Sequence, residues 1–158
     1  MKVLVVLGDG GHTADTLRLV ELLGPKYEYS YLMSDSDQIS EGKIKFPGPV
    51  YRAPIPHKKQ QSVLSAPWPL FLCTVRELAI LLRARPRAIL NGAAGIGVPI
   101  SILGRLLGVK VIYLENASRV YTLSRSGRIL YHIVHLFFVQ WESLKEKHPK
   151  AIYAGRLI

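Results

Sequence analysis

An α/β domain with a doubly wound, mostly parallel sheet of six or seven strands is what this sequence predicts, and three observations predict it. Apolar runs of strand length alternate with helical patterns, the first run is apolar without a break, and glycine-rich turns follow strands. The chain has 158 residues, 49% of them hydrophobic, so residues 1–158 can form one domain with a core that needs neither disulfides nor metals.

The elements follow in order. "KVLVVLG" (2–8) is a strand with no polar face, as expected when helices cover both sides of a sheet, and it should be central. "TADTLRLVELLG" (13–24) gathers Leu17, Val20 and Leu23 with Leu19 and Leu22 on one side and stops at Gly24-Pro25. "YEYSYLMS" (27–34) is the second strand. "PVYRAPIP" (49–56) is a third, whose prolines push it to a sheet edge. A helical segment covers 63–83, with Pro67 and Pro69 near its start and apolar residues around most of its circumference. "PRAILNG" (86–92) is a strand, "GIGVPISILGRLLG" (95–108) a helix interrupted by Gly104, and "VKVIYLE" (109–115) a strand. "SGRILYHIV" is a short helix, "LFFVQ" (136–140) a strand, "ESLKEKHP" a polar helical turn and "AIYAG" (151–155) a last strand.

A net charge of +10 draws the surface toward an anionic partner. The basic residues are scattered, with neither an aromatic-studded RNA-binding pattern nor zinc-finger spacing, so nucleic acid is not the expected partner. The single cysteine, Cys73, excludes a disulfide framework and points to a reducing compartment. Strand-like sequence directly after Met1 leaves no room for an export leader. The charge-free stretch 60–75 is too short and too broken by proline to span a bilayer, which takes about 20 apolar residues.

The chemistry concentrates in three stretches that a parallel sheet would bring to one edge. In "GDGGHT", Gly8, Gly10 and Gly11 let backbone amides approach an anion at a helix start, the outline of a phosphate cradle. A dinucleotide fingerprint fails there, because Thr13 stands at its last glycine; Asp35 is the matching candidate for a ribose-binding acid. A tight turn without ligand remains the alternative. His12 sits where the helix dipole favours neutral imidazole, which can accept a proton from a hydroxyl. Asp9 has no evident partner. Asn91 and Gly92 open the second stretch, "NGAAGIGVP". Glu115, Asn116 and Arg119 belong to the third, "ENASR", where Glu115 is either a general base or a loop tether and Arg119 either a diphosphate contact or a solvated charge. The "DSD" of 35–37 is read as a turn instead of a metal site.

"GDGGHTADTLRL", "LNGAAGIGVPISIL", "YLENASRVYTLSRSGRILYHI" and "VQWESLKEKHPKAIYAGRLI" together resemble one family, in order and nearly end to end. It is the membrane-associated, acceptor-side subunit family of the two-subunit UDP-N-acetylglucosamine transferase of lipid-linked oligosaccharide synthesis, with prokaryotic exopolysaccharide relatives. The resemblance implies the amino-terminal half of a GT-B glycosyltransferase that transfers a sugar, with inversion, from a UDP-sugar to a polyprenyl-diphosphate-linked sugar. It implies a separate donor-side subunit, since the sequence ends at "GRLI" where a second domain would begin, and therefore inactivity alone. It carries His12 and Glu115 over as catalytic candidates, and Gly8, Gly10, Gly11, Thr13, Asn91, Gly92, Asn116 and Arg119 as acceptor- or phosphate-binding ones, with no essential metal or cofactor. Many eukaryotic relatives have a spanning anchor. Without one, association with the cytoplasmic side of an anionic membrane is expected to fall to the 63–83 segment, through Trp68, Leu70, Phe71, Arg83 and Arg85. A non-catalytic membrane adaptor and a nucleotide-dependent Rossmann enzyme are the competing readings.

Overall fold

A computed structural model describes residues 1–8, 11–55, 67–92 and 95–157, without the side chains of His12 and Pro67. Its strands are β1 (Lys2–Val6), β2 (Glu28–Ser34), β3 (Val50–Ala53), β4 (Ala88–Asn91), β5 (Lys110–Leu114), β6 (Leu136–Val139) and β7 (Ile152–Tyr153). The helices are α1 (Gly11–Leu23), α2 (Pro67–Ala84), α3 (Gly97–Leu106), α4 (Arg125–Leu130) and α5 (Glu142–Lys147). All the strands pair in parallel in the order β3-β2-β1-β4-β5-β6-β7, so the chain reverses its direction of travel across the sheet between β1 and β4.

The uninterrupted apolar character of β1 has the expected cause. Val3, Val5 and Leu7 pack with Leu17 and Val20 of α1, while Leu4 and Val6 pack with Ile80 and Leu81 of α2 and with Ile100 of α3. Strand side chains alternate between faces, so a strand covered on both sides can spare no position for a polar group. Each such leucine or valine, fully withdrawn from water, contributes about 2 kcal/mol. A third cluster joins Tyr113 and Phe137 to Leu130 and Leu144 from α4 and α5.

The expected strands are present, mostly trimmed by a residue or two, and β3 does lie at the edge. Gly104 departs from expectation: α3 continues through it, and since a Cβ there would collide with the Ile89 side chain, the glycine lets helix and sheet approach instead of breaking the helix. The helix after the glycine turn starts at Gly11, two residues earlier than the periodicity predicts, which places His12 in its first turn. Among the described residues no helix is long and apolar enough to cross a membrane.

Candidate functional site

Parallel strands present their carboxyl ends on one edge, and the reversal between β1 and β4 opens a crevice there. Gly8 is buried just beyond β1, and Gly11 and His12 open α1. Asp9 and Gly10 lie outside the described residues. Thr13 is buried, and its hydroxyl donates to Gly8 O, so it closes the turn from within.

The "DSD" loop buttresses that turn. Thr13 Oγ1 is 3.3 Å from Ser40 Oγ, and Ser40 donates its hydroxyl to the Asp37 carboxylate. The same carboxylate accepts the backbone N–H groups of Ile39 (3.0 Å) and Ser40 (2.9 Å). Burial pulls the Asp37 carboxyl upward, but the hydrogen bonds from Ser40 and Ile39, with Arg52 nearby, outweigh it and hold the group below its ordinary value. Arg52 also donates to Asp37 O at 2.7 Å and pairs with Glu41 at 2.7 Å. Asp37 is thus occupied as a turn residue. Asp35, the candidate ribose-binding acid, is exposed past β2. Among the described residues no three His, Cys, Asp or Glu side chains are grouped to hold a metal.

The other two stretches are built from close backbone approaches. Asn91, buried at the end of β4, donates its amide to Gly97 O (2.8 Å) and Ser101 Oγ (3.0 Å), fastening the start of α3. Gly92 lies against α1, where a Cβ would collide with Thr16 Oγ1. Glu115, also fully buried, accepts Asn116 N–H on Oε1 and both the N–H and the hydroxyl of Ser124 on Oε2, each at 3.0 Å. Ser124 in turn caps α4 by accepting Gly127 N–H at 2.9 Å. Of the two readings of Glu115, this geometry is that of the tether. Asn116 Oδ1 accepts Ser118 N–H at 2.6 Å and shapes the loop that carries Arg119, whose side chain is exposed and forms no ion pair among the described residues.

Sequence reasoning missed Asp15 and Gln140. Asp15 Oδ2 accepts Ala117 N–H and Gln140 Nε2–H, each at 3.1 Å, bridging α1 to the loop after β5 and to the end of β6. Gln140 is buried and donates also to Glu115 O at 3.2 Å. Trp141 Nε1–H donates to Ala117 O at 2.6 Å, and the Arg156 guanidinium lies 4.1 Å from the Trp141 ring centre. In the sequence Asp15 is one polar residue in a helical pattern, and its partners are 102 and 125 residues away, so no local signal marks it.

The residues expected to meet a membrane do not form one patch. Helix α2 connects the carboxyl end of β3 to the amino end of β4, so its first turns stand on the crevice edge and its last turn on the opposite edge. Trp68 and Phe71, 65% and 56% exposed with rings stacked 5.7 Å apart, lie at the crevice end beside half-buried Leu70 and exposed Leu72 and Val75. Arg83 and Arg85 lie at the other end, about 22 Å along the helix axis at 1.5 Å per residue. Residues 63–66 of that segment lie outside the described residues.

Comparison with known proteins agrees with this architecture. A family model described as "Oligosaccharide biosynthesis protein Alg14 like" matches residues 3–157. The chain is 35% identical to UDP-N-acetylglucosamine transferase subunit ALG14 of Mus musculus over 181 residues, covering 100% of this chain and 83% of that protein. It is 33% identical to the corresponding subunit of Schizosaccharomyces pombe, covering 97% and 81%. Among solved structures, Acinetobacter baumannii MurG superposes with a TM-score of 0.71 at 15% identity, covering 98% of this chain and 43% of that one. The Methanocaldococcus jannaschii UDP-GlcNAc 2-epimerase in complex with UDP-GlcNAc and UDP gives 0.73 at 16% identity, covering 99% and 47%. The chain therefore spans under half the length of these enzymes and shares with them the fold of one Rossmann-like half of a GT-B architecture. By its match over residues 3–157 and its identity to the mouse subunit, the chain belongs to the Alg14-like family of oligosaccharide biosynthesis proteins.

Proposed function

We propose that this chain is a single acceptor-side domain of an inverting glycosyltransferase that moves N-acetylglucosamine from UDP-N-acetylglucosamine to a polyprenyl-diphosphate-linked sugar. A separate donor-side subunit completes the enzyme, and the complex works peripherally on the cytoplasmic side of an anionic membrane. The observation that carries this reading is a coincidence of edges. The turn after β1, the loop bearing Arg119 and the exposed Trp68–Phe71 pair share one side of the sheet. A lipid-anchored diphosphate needs that combination, an anion cradle within reach of the surface that holds the lipid.

In the proposed reaction the acceptor hydroxyl oxygen bonds to the anomeric carbon as that carbon's bond to the UDP oxygen breaks, and the hydroxyl proton passes to a base. His12, in the first turn of α1, is the proposed base. Glu115 is proposed to act through position: three donors occupy its carboxylate, and burial keeps it from substrate. Arg119 and the helix-start amides are the proposed contacts for the diphosphate of the acceptor, and the charge that develops on the UDP leaving group falls to the donor-side subunit.

Co-purification from the source cell identifies the donor-side subunit. The two polypeptides together, but neither alone, are then expected to transfer N-acetylglucosamine from the UDP-sugar to polyprenyl-diphosphate-N-acetylglucosamine. Absence of transfer by the pair sinks the reading. Full activity of the pair with His12→Ala sinks the assignment of the base and favours a purely recruiting subunit.

A further inference from the structure

We propose that Asp15 is a positioning residue, whose carboxylate latches the start of α1 to the loop after β5 and so fixes the glycine turn and His12 relative to Arg119. The proposal rests on the acceptor-side function described above.

The two halves of the crevice belong to opposite arms of the sheet, β1 and β2 on one side of the reversal and β5 and β6 on the other, with β4 between them. The apolar core grips α1 through Leu17 and Val20, beyond its first turn, and leaves the helix start to polar contacts. Thr13 ties that start to its own turn, whereas Asp15 ties it across the crevice. Its Oδ2 receives the Ala117 N–H from the Arg119 loop and the Gln140 side-chain N–H from the end of β6. Gln140 is 1% exposed, and its amide is held on its other bonds by Glu115 O and by Leu157 N–H at 3.0 Å, so the donor it offers Asp15 is itself fixed. Among the described residues Asp15 forms no ion pair, so its carboxylate is held through these two hydrogen bonds. A shift of the glycine turn against the Arg119 loop would misalign base and acceptor, and misplacement by about 1 Å can cost about 100-fold in rate.

The test compares Asp15→Ala, Asp15→Asn and Asp15→Glu in the full chain, combined with the donor-side subunit, UDP-N-acetylglucosamine and polyprenyl-diphosphate-N-acetylglucosamine. Asp15→Ala is expected to lower kcat about 10- to 100-fold while acceptor KM moves by less than about 3-fold, and Asp15→Glu to recover most of the loss. Amide hydrogen exchange of the chain alone provides an independent readout, with faster exchange expected across 115–119 in the Ala and Asn variants. Wild-type kcat in Asp15→Ala together with faster exchange overturns the proposal, because the latch is then structural only. Unchanged exchange at Ala117 overturns the latch itself, whatever the activity. If the unsubstituted pair transfers nothing, the functional reading fails, and the positioning role falls with it.

Discussion

Two buried carboxyl groups divide this molecule into regions with opposite electrostatic solutions. At the end of β5, Glu115 is fully buried but offers its oxygens to three donors, the Asn116 N–H and the N–H and hydroxyl of Ser124. On the inner face of α2, Glu77 is just as buried, yet it receives the Cys73 thiol at 3.4 Å on one oxygen, and its other oxygen, Oε2, has no hydrogen-bond partner among the described residues. Burial pushes the Glu77 carboxyl up to about 8, against the weaker opposing pull of the Cys73 thiol and the Ile100 backbone. The lesson is that depth does not decide whether an acid organises its surroundings or strains them; the supply of donors does. Glu115 sits where a loop and a capped helix turn their N–H groups inward. Glu77 sits mid-helix, where backbone donors are already spent on the helix itself.

The contrast can be broken most directly at the tethered acid. Glu115→Ala strands the Asn116 and Ser124 N–H donors in the interior, leaving the Ser124 hydroxyl to donate to the Tyr113 hydroxyl at 3.0 Å, and is expected to destabilise the fold by about 3 kcal/mol, read from denaturant midpoints. Loss of less than about 1 kcal/mol would show that the loop re-closes without its carboxylate. A smaller strike at the same tether is Gly127→Ala, whose new Cβ meets Glu115 Oε2 and so must push α4 away from β5. About 2 kcal/mol is expected, also by denaturant unfolding. The outer face of α2 comes next. Replacing Trp68 and Phe71 together by serine should weaken binding to anionic phospholipid vesicles by about 2 kcal/mol, roughly 30-fold, in a flotation or sedimentation assay. Serine at Arg83 and Arg85, at the far end of the helix, should cost less, because interfacial charges contribute about 1 kcal/mol each only near the surface.

The prediction that sharpens the comparison from the other side belongs to Glu77. Its folded value is raised above the 4.5 of an ordinary glutamate. The folded state therefore holds a proton that the unfolded chain has released, and stability is full below pH 4.5 and falls as pH rises toward about 8. The slope approaches about 1.4 kcal/mol per pH unit inside that window. Glu77→Gln cannot ionise, so its Tm should exceed that of the parent at pH 8 and approach it at pH 5. An equal gain at both values would mean that the carboxyl ionises as readily in the folded protein as in the unfolded chain, so that burial does not raise it.

Much of the fold was legible because its signals are local. The apolar runs that became β1, β4 and β5 lack polar faces, Gly24-Pro25 ended α1, and the prolines around β3 placed it at an edge. The three site stretches were legible for the same reason, since a parallel sheet gathers strand ends on one edge. What the residues do there was less so. Asn91 and Glu115 read as ligands or bases, yet their polar atoms fasten α3 and α4. Membership of one 63–83 segment grouped Trp68 with Arg83 as membrane-associating, and only the direction of α2 across the sheet set them at opposite ends.

The sequence by itself determined the class of sheet, the central strand, the location of the candidate crevice and the family. The first three rest on hydrophobic pattern and turn chemistry, which act over a few residues, and the family rests on the resemblance of four motifs in order. The tertiary structure decided which polar groups are available to a ligand and which are consumed by the protein. Asp15 finds Ala117 and Gln140 across more than a hundred residues, Glu115 finds Ser124 in the loop beyond it, and Glu77 finds the Cys73 thiol for one oxygen and, among the described residues, no partner for the other. The physical reason is that a hydrogen bond is made within about 3 Å in space, and separation along the chain sets no such distance.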